Sequence, residues 1–219
     1  MQPEFWRARW RTGQIGFHQS AVDRHLKEHW PTFGLPNDSR VFVPLCGKSL
    51  DLLWLAERGH SVAGVELSAA ALEAFCAENG IPARRRILGN FDVYETARIQ
   101  LFRGDFFALT AKRLGRVSAV YDRASLTSCR PELREAYVAH MRELTKPGTP
   151  TLLIAMEYAQ SQMTGPPFAV LAHDIDELYG RDHATTRLSR QEVLANEPRF
   201  RARGLTELHE VCYRLTRLS

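Results

Sequence analysis

The 219-residue sequence is poor in the features that mark disulfide-rich, metal-binding and membrane proteins. It has four cysteines, with no C-x-x-C pair and no Cys/His cluster at zinc-site spacing. No segment approaches about 18 consecutive apolar residues, and the first residues contain no apolar run of signal-peptide length. We therefore expect a cytoplasmic protein with reduced thiols, no metal site and no membrane span.

Strong charge of one sign is also lacking. The net charge is +4, and the basic residues are dispersed along the chain, the densest run being Arg84–Arg86. We interpret that run as a solvated surface and expect no nucleic-acid partner, because nucleic-acid binding calls for a clustered basic patch. A mild positive field that favours small anionic substrates is the alternative interpretation.

The residues that are present are organised around the segment R-V-F-V-P-L-C-G-K-S, Arg40–Ser49. Val41–Val43 form an uninterrupted apolar run, which is typical of a parallel strand buried on both faces. Pro44 ends the strand, Gly47 lets the backbone approach another group closely, and a helix-like run follows. This order of strand, glycine turn and helix is typical of a βαβ unit that binds a nucleotide or nucleoside.

A second buried run, Val62–Val65, ends on an acid, Glu66. Glu66 follows Gly47 by about 20 positions, the spacing at which an acid accepts hydrogen bonds from ribose hydroxyls. The sequence therefore predicts a sugar-binding carboxylate at the end of the second strand.

Repeated strand–helix units followed by late strands predict a doubly wound, mostly parallel, seven-stranded α/β sheet. We expect one domain over residues 1–219, in which residues 1–38 form a helical flap over the site. Leu205–Leu215 is expected to be one arm of an antiparallel pair. In a doubly wound sheet the carboxyl ends of the strands line one crevice. Four predicted strand ends carry distinctive groups: Leu45–Gly47, Glu66, Asp105 and Arg123.

Three classes of ligand could bind in that crevice: a P-loop nucleotide, a dinucleotide or S-adenosylmethionine. A P-loop needs a glycine where this chain has Phe42, and a dinucleotide turn needs more glycines than P-L-C-G-K-S supplies. S-adenosylmethionine carries no phosphate. A protein turn that binds it therefore needs only a backbone that can approach the ligand closely and an acid that binds the ribose. An NAD-dependent Rossmann oxidoreductase and a non-catalytic nucleoside-binding regulatory module remain the alternatives.

Seven motifs spread over nearly the whole chain carry a resemblance to a known family: F-W-R-A-R-W, I-G-F-H-Q, V-P-L-C-G-K-S, G-H-S-V-A-G-V-E-L-S, G-D-F-F, Y-D-R-A-S-L and G-P-P-F. They resemble the thiopurine S-methyltransferase family, especially its bacterial members. The resemblance implies a Rossmann-like class I methyltransferase fold and S-adenosylmethionine as donor. It also implies methyl transfer to the sulfur of aromatic and heterocyclic thiols such as thiopurines. Bacterial relatives are associated with methylating tellurium and selenium oxyanions. The resemblance therefore also implies that tellurite and selenite can be methylated and, with it, tellurite resistance.

Carried over residue by residue, the resemblance implies a set of cofactor contacts: Trp10, Leu45, Glu66, Asp105, Phe106 and Arg123. It implies Phe17 as a substrate-side aromatic. A heterocyclic thiol is partly ionised near neutral pH, so we expect Arg123 to act catalytically by favouring the thiolate. The alternatives are a structural ion pair of Arg123 with Asp122 or another acid, and His18 as a base. We expect a monomer whose only partner is a small thiol substrate.

Overall fold

The computed structural model describes residues 3–218, and the chain falls into two units that divide after Tyr121. Unit 1 has the helices α1 (Pro3–Arg11), α2 (Arg24–His29), α3 (Asp51–Glu57), α4 (Ala69–Glu78) and α5 (Ala111–Leu114). Its strands are β1 (Arg40–Val43), β2 (Ser61–Glu66), β3 (Arg84–Leu88), β4 (Phe91–Glu95) and β5 (Ile99–Arg103). The strand β6 (Ala119–Arg123) crosses the division.

The strands of unit 1 lie in the order β3-β4-β5-β2-β1-β6. β5, β2, β1 and β6 run in parallel, whereas β3 and β4 are antiparallel to their neighbours. Parallel neighbours bring their carboxyl ends to one edge of the sheet. The ends of β1 and β2 therefore lie side by side, with Val43 paired to Gly64.

The local sequence explains the central elements. Val41, Phe42 and Val43 are buried, as predicted for a strand covered on both faces. The Ser68 hydroxyl accepts a hydrogen bond from Ala71 N at 3.4 Å and so caps the N-terminus of α4. Gly80 follows α4 with φ +62°, a conformation that glycine adopts without a steric penalty.

Unit 2 contains α6 (Arg134–Leu144), α7 (Ala172–Tyr179) and α8 (Pro198–Arg201). Its strands are β7 (Pro150–Glu157), β8 (His183–Glu192) and β9 (His209–Arg217), in the order β7-β9-β8. β9 pairs antiparallel with both neighbours, which confirms the antiparallel pairing expected near the C-terminus. In residues 3–218 we find no helix long and apolar enough to cross a bilayer.

The expected count of seven strands is wrong, because the described residues form nine. The two strands that were not predicted are β8 and β3, and Arg84–Arg86 belong to β3. Both are terminal in their strand orders, and most of their residues are exposed or half-buried. Edge strands often carry polar and charged side chains that prevent edge-to-edge pairing, so they lack the apolar pattern of a buried strand.

The N-terminal helical extension is present but forms a minor part of the fold. α1 spans nine residues and has no fully buried side chain. The segment before α2 is fixed by Asp51, a carboxylate that is only 1 % exposed. Asp51 accepts hydrogen bonds from Asp23 N at 2.8 Å and from the Tyr121 hydroxyl at 3.0 Å. This one side chain thus joins the extension to α3 and β6.

We predict that Asp51→Ala lowers the free energy of unfolding by about 2 kcal/mol or more, because it removes the acceptor of two buried donors. Tyr121→Phe should cost less, about 1 kcal/mol, because it removes a donor and leaves the carboxylate in place. Chemical denaturation measures both. Glu57→Ala, at an exposed position of the same helix, is the control. A cost at Asp51 no larger than that of the control would contradict the anchoring role.

Candidate functional site

The Glu66 carboxylate at the end of β2 connects two turns of unit 1. Its Oε2 accepts a hydrogen bond from Gly47 N at 3.0 Å, and its Oε1 accepts one from Ser68 N at 2.7 Å. The residue is only 6 % exposed. The side chain therefore fixes the glycine turn after β1 relative to the start of α4.

Burial raises the pKa of Glu66 above its usual value, and backbone N–H groups of Ser68, Gly47 and Leu67 partly oppose the rise. A carboxylate has about four lone-pair sites, so it can still accept a hydrogen bond from a sugar hydroxyl. The buried acceptor thus fits a hydroxyl of the ribose of a nucleoside. Burial and the nearby Glu66 raise the pKa of the Cys46 thiol well above its usual value, so this thiol stays neutral.

The turn after β1 approaches β2 closely. Leu45 and Gly47 both have positive φ angles, +44° and +54°. Cys46 N donates to Val65 O at 3.0 Å, and a Cβ added to Gly64 would lie 2.7 Å from Cys46 Sγ. The small residue at Gly64 is therefore needed for the turn to pack onto β2.

The indole of Trp10 lies on the same turn. A Cβ added to Gly47 would be 3.0 Å from Trp10 Cζ2. Trp10 also contacts Phe17 edge to face, with ring centroids 5.4 Å apart, and Trp6 contacts Phe17 in the same way at 5.6 Å. Unit 1 thus brings Trp10 and Phe17 together with the glycine turn that Glu66 holds.

Asp105 and Phe106 follow β5, the other parallel neighbour of β2. Gly104 N donates to Glu66 O at 2.9 Å. Asp105 is the next residue along the chain, so its backbone lies beside the end of β2. Asp105 is exposed, and its Oδ1 accepts a hydrogen bond from Phe107 N at 3.1 Å. Phe106 is only 2 % exposed, whereas Phe107 is 36 % exposed. Phe106 therefore belongs to the packed interior, and Phe107 presents its ring at the surface.

In unit 2, Arg123 is the last residue of β6, and it follows a buried acid, Asp122. The Tyr137 hydroxyl donates to Asp122 Oδ2 at 2.7 Å, and Leu126 N donates to Oδ1 at 3.2 Å. Burial raises the pKa of Asp122 to about 6, and these hydrogen bonds partly oppose the rise. The sequence analysis gave no role to Tyr137, which lies on α6.

Comparison with known proteins places this geometry in context. The family model described as thiopurine S-methyltransferase matches residues 1–218. A thiopurine S-methyltransferase of Pseudomonas fluorescens (strain Pf0-1) is 45% identical over 215 residues, which cover 98% of this chain and 99% of that protein. One from Nitrosospira multiformis is also 45% identical over 215 residues, covering 98% of each chain.

Solved structures show the fold. A methyltransferase from Anabaena variabilis dependent on S-adenosylmethionine (SAM) has a TM-score of 0.65 at 15% identity, over 98% of this chain and 94% of that one. The 1,6-didemethyltoxoflavin-N1-methyltransferase of Burkholderia thailandensis, solved with S-adenosylhomocysteine, has a TM-score of 0.63 at 16% identity, over 99% and 87%. At these identities the likeness establishes the class I methyltransferase fold, as the sequence analysis expected.

We predict that Gly47→Ala lowers the free energy of unfolding by about 1–2 kcal/mol, because it forces an L-residue into the left-handed region. The new Cβ should also displace the Trp10 ring and change the tryptophan bands in near-ultraviolet circular dichroism.

Gly80→Ala is the matched control. Gly80 has a similar φ of +62°, but among the described residues no heavy atom lies within 4 Å of an added Cβ. Gly80→Ala should therefore show the same loss of stability with unchanged tryptophan bands. Identical spectra for both variants would contradict the contact between Trp10 and the turn.

Proposed function

The chain belongs to the thiopurine S-methyltransferase family, and we propose that it methylates the sulfur of aromatic and heterocyclic thiols such as thiopurines. It is an S-adenosylmethionine-dependent methyltransferase, as its family and fold neighbours establish. The observation that carries the proposal is the match over nearly the full length to thiopurine S-methyltransferases at 45% identity. That match also favours it over an NAD-dependent oxidoreductase or a non-catalytic binding module.

The geometry of unit 1 supports a role in holding the cofactor. We assign the ribose to Glu66, whose buried carboxylate keeps acceptor capacity beside Gly47 N. We assign the sulfonium end to the neighbourhood of Trp10 and Leu45, because the indole lies on the glycine turn. A cation–π contact there contributes about 0.5–2 kcal/mol. Asp105 and, with its ring in the packed interior, the backbone of Phe106 are proposed on the adenine side, since Gly104 N bonds the Glu66 carbonyl.

When bound, S-adenosylmethionine supplies an electrophilic methyl group on a positively charged sulfur. The protein must align the substrate sulfur with that methyl group, and alignment can contribute about 7–11 kcal/mol. We propose that Phe17 packs against the substrate ring and that Arg123 stabilises the thiolate. A guanidinium stays charged at every working pH and can orient an anion. No general base is needed, because the thiol is already partly ionised.

The proposal extends to the rest of the chain. Residues 1–219 act as one methyltransferase domain with residues 1–38 as its flap, in keeping with a family match over residues 1–218. The protein works as a cytoplasmic monomer on small molecules without a nucleic-acid partner; its four free cysteines suit a reducing compartment. Tellurite and selenite are further proposed methyl acceptors.

A methyl-transfer assay tests the acceptor directly. The purified protein is supplied with S-adenosylmethionine and a panel of heterocyclic thiols, aliphatic thiols, selenite and tellurite, and S-adenosylhomocysteine release is measured. We expect turnover with heterocyclic thiols. Turnover with none of the thiols, under conditions where the protein binds S-adenosylhomocysteine, would refute the proposed acceptor class.

We predict that Glu66→Ala weakens S-adenosylhomocysteine binding about 10- to 150-fold, because it removes about 1.5–3 kcal/mol of hydrogen bonding to a charged acceptor. Isothermal titration calorimetry measures the affinity, and circular dichroism checks the fold. Glu66→Gln should show a smaller loss, since one oxygen can still accept. The exposed Glu73→Ala on α4 is the control. Unchanged affinity in folded Glu66→Ala would remove this residue from the cofactor site.

We predict that Arg123→Ala lowers turnover mainly below the pKa of the substrate thiol, where the guanidinium is needed to favour the thiolate. Above that pKa the thiolate forms in solution, so the defect should shrink. The measurement is kcat/KM against pH with two thiols of different acidity. A defect of the same size at every pH would instead indicate a role of Arg123 in cofactor binding or in structure.

A further inference from the structure

We propose that Asp122, held by Tyr137, is a positioning residue that fixes the turn after β6 and thereby the base of the Arg123 side chain. The inference rests on the proposed function, in which Arg123 favours the substrate thiolate. It assigns a role to Tyr137, which lies outside the sequence motifs, and it gives Asp122 a role other than an ion pair with Arg123.

The first support is the way Asp122 spans the turn. Its Oδ2 accepts from the Tyr137 hydroxyl of α6 at 2.7 Å, and its Oδ1 accepts from Leu126 N at 3.2 Å. The carboxylate therefore joins a rigid helix to the backbone three residues beyond Arg123. Asp122 is 2 % exposed, so water does not compete for these bonds.

The turn itself has a conformation that needs support. Ala124 has φ +60°, in the left-handed region that L-residues rarely adopt. The Ser125 hydroxyl donates to Arg123 O at 3.4 Å. Phe168 N donates to Thr127 O at 2.7 Å and ties the far end of the turn to the loop before α7. The backbone on the C-terminal side of Arg123 is thus held at several points, and the bond from Leu126 N to Asp122 is the one that ties it back to β6.

Asp122 acts through the backbone rather than on the substrate. Successive side chains in a strand point to opposite faces, and Asp122 and Arg123 are both residues of β6. With Asp122 directed towards α6, alternation directs Arg123 to the opposite face. Asp122 is therefore a positioning residue and not a catalytic one.

The charge of Asp122 argues against a purely stabilising role. Burial raises its pKa from 3.8 to about 6, so the folded protein loses stability as pH rises from near 4 through about 6. The groups that interact with it are Tyr137 on α6, Tyr179 on α7 and Cys129 after the turn. Burial raises the pKa of each of these, that of Cys129 to about 12, so none ionises in the same range. Burial lowers the pKa of Arg134, which interacts with Cys129.

A double-mutant cycle tests the proposal. Tyr137→Phe and Asp122→Asn are each made in the wild-type background and in Arg123→Lys, and kcat and KM are measured with one heterocyclic thiol. Tyr213→Phe is the matched control, a buried tyrosine of the same unit whose hydroxyl bonds Glu157 instead. Thermal unfolding of every variant is recorded.

We expect Tyr137→Phe to lower kcat/KM about tenfold, the effect of one lost hydrogen bond to a charged group. In the Arg123→Lys background the same change should cost less than about twofold, because coupled residues are non-additive. Equal losses in both backgrounds, or a loss in Tyr213→Phe of the same size, would overturn the proposal. A purely structural defect would lower stability and act equally in both backgrounds.

Asp122→Asn supplies a second kinetic readout. The wild type should lose additional activity as pH falls through about 6, since protonation removes an acceptor from the turn. The variant should not share this loss, so the ratio of variant to wild-type kcat/KM should rise as pH falls from 8 to 5. A constant ratio over that range would contradict the role of the carboxylate.

Hydrogen exchange separates this inference from the proposed function. In Asp122→Asn and Tyr137→Phe, amide exchange in residues 124–128 should be faster than in Tyr213→Phe, whatever the substrate. If the wild type methylates no thiol, the proposed function fails, and exchange still decides whether Asp122 fixes the turn. If the wild type is active but exchange in the turn is unchanged, the positioning inference is overturned.

Discussion

The turns at the strand ends of unit 1 depend on one interaction, in which the Glu66 carboxylate accepts hydrogen bonds from backbone N–H groups. Through Gly47 N at 3.0 Å and Ser68 N at 2.7 Å, it fixes the turns that follow β1 and β2. The indole of Trp10 then lies on Gly47, and Gly104 N bonds the Glu66 carbonyl. If this carboxylate were lost, both turns would lose a shared anchor at the edge where parallel strands place their ligands.

Three acids of this protein illustrate two opposite directions of pKa shift. Burial raises the pKa of Glu66 and Asp122, so their ionised forms cost folding free energy. Glu95 is the opposite case, because two hydrogen bonds from Arg86 at 2.8 Å lower its pKa to about 2. It stabilises the fold at neutral pH, and this contribution is lost only as pH falls from about 4.5 towards 2. Acids held in a destabilised charge state at strand ends are typical of functional sites, whereas Glu95 is a structural acid.

The sequence predicted the elements whose physical signal is local. Val41–Val43 were predicted to form a buried strand, because burial on both faces leaves an uninterrupted apolar run within a few residues. Edge strands leave no such pattern, so β3 with its arginines and the polar β8 escaped recognition. The contact of Trp10 with Gly47 and the bond from Tyr137 to Asp122 join residues far apart in sequence. Tertiary contacts of this kind have no fixed spacing in the sequence, so no sequence pattern predicts them.

The shared sheet alone does not determine the methyl acceptor. A solved neighbour with the same fold is described as an N1-methyltransferase at 16% identity, so the fold alone is compatible with acceptors other than sulfur. In unit 1, the aromatic group of Trp6, Trp10 and Phe17 lies on the N-terminal segment and not on a strand. α1 has no fully buried side chain, so its sequence is little constrained by the core. Apart from Trp10, which lies on Gly47, this segment can therefore change its sequence without disturbing the turns that Glu66 holds.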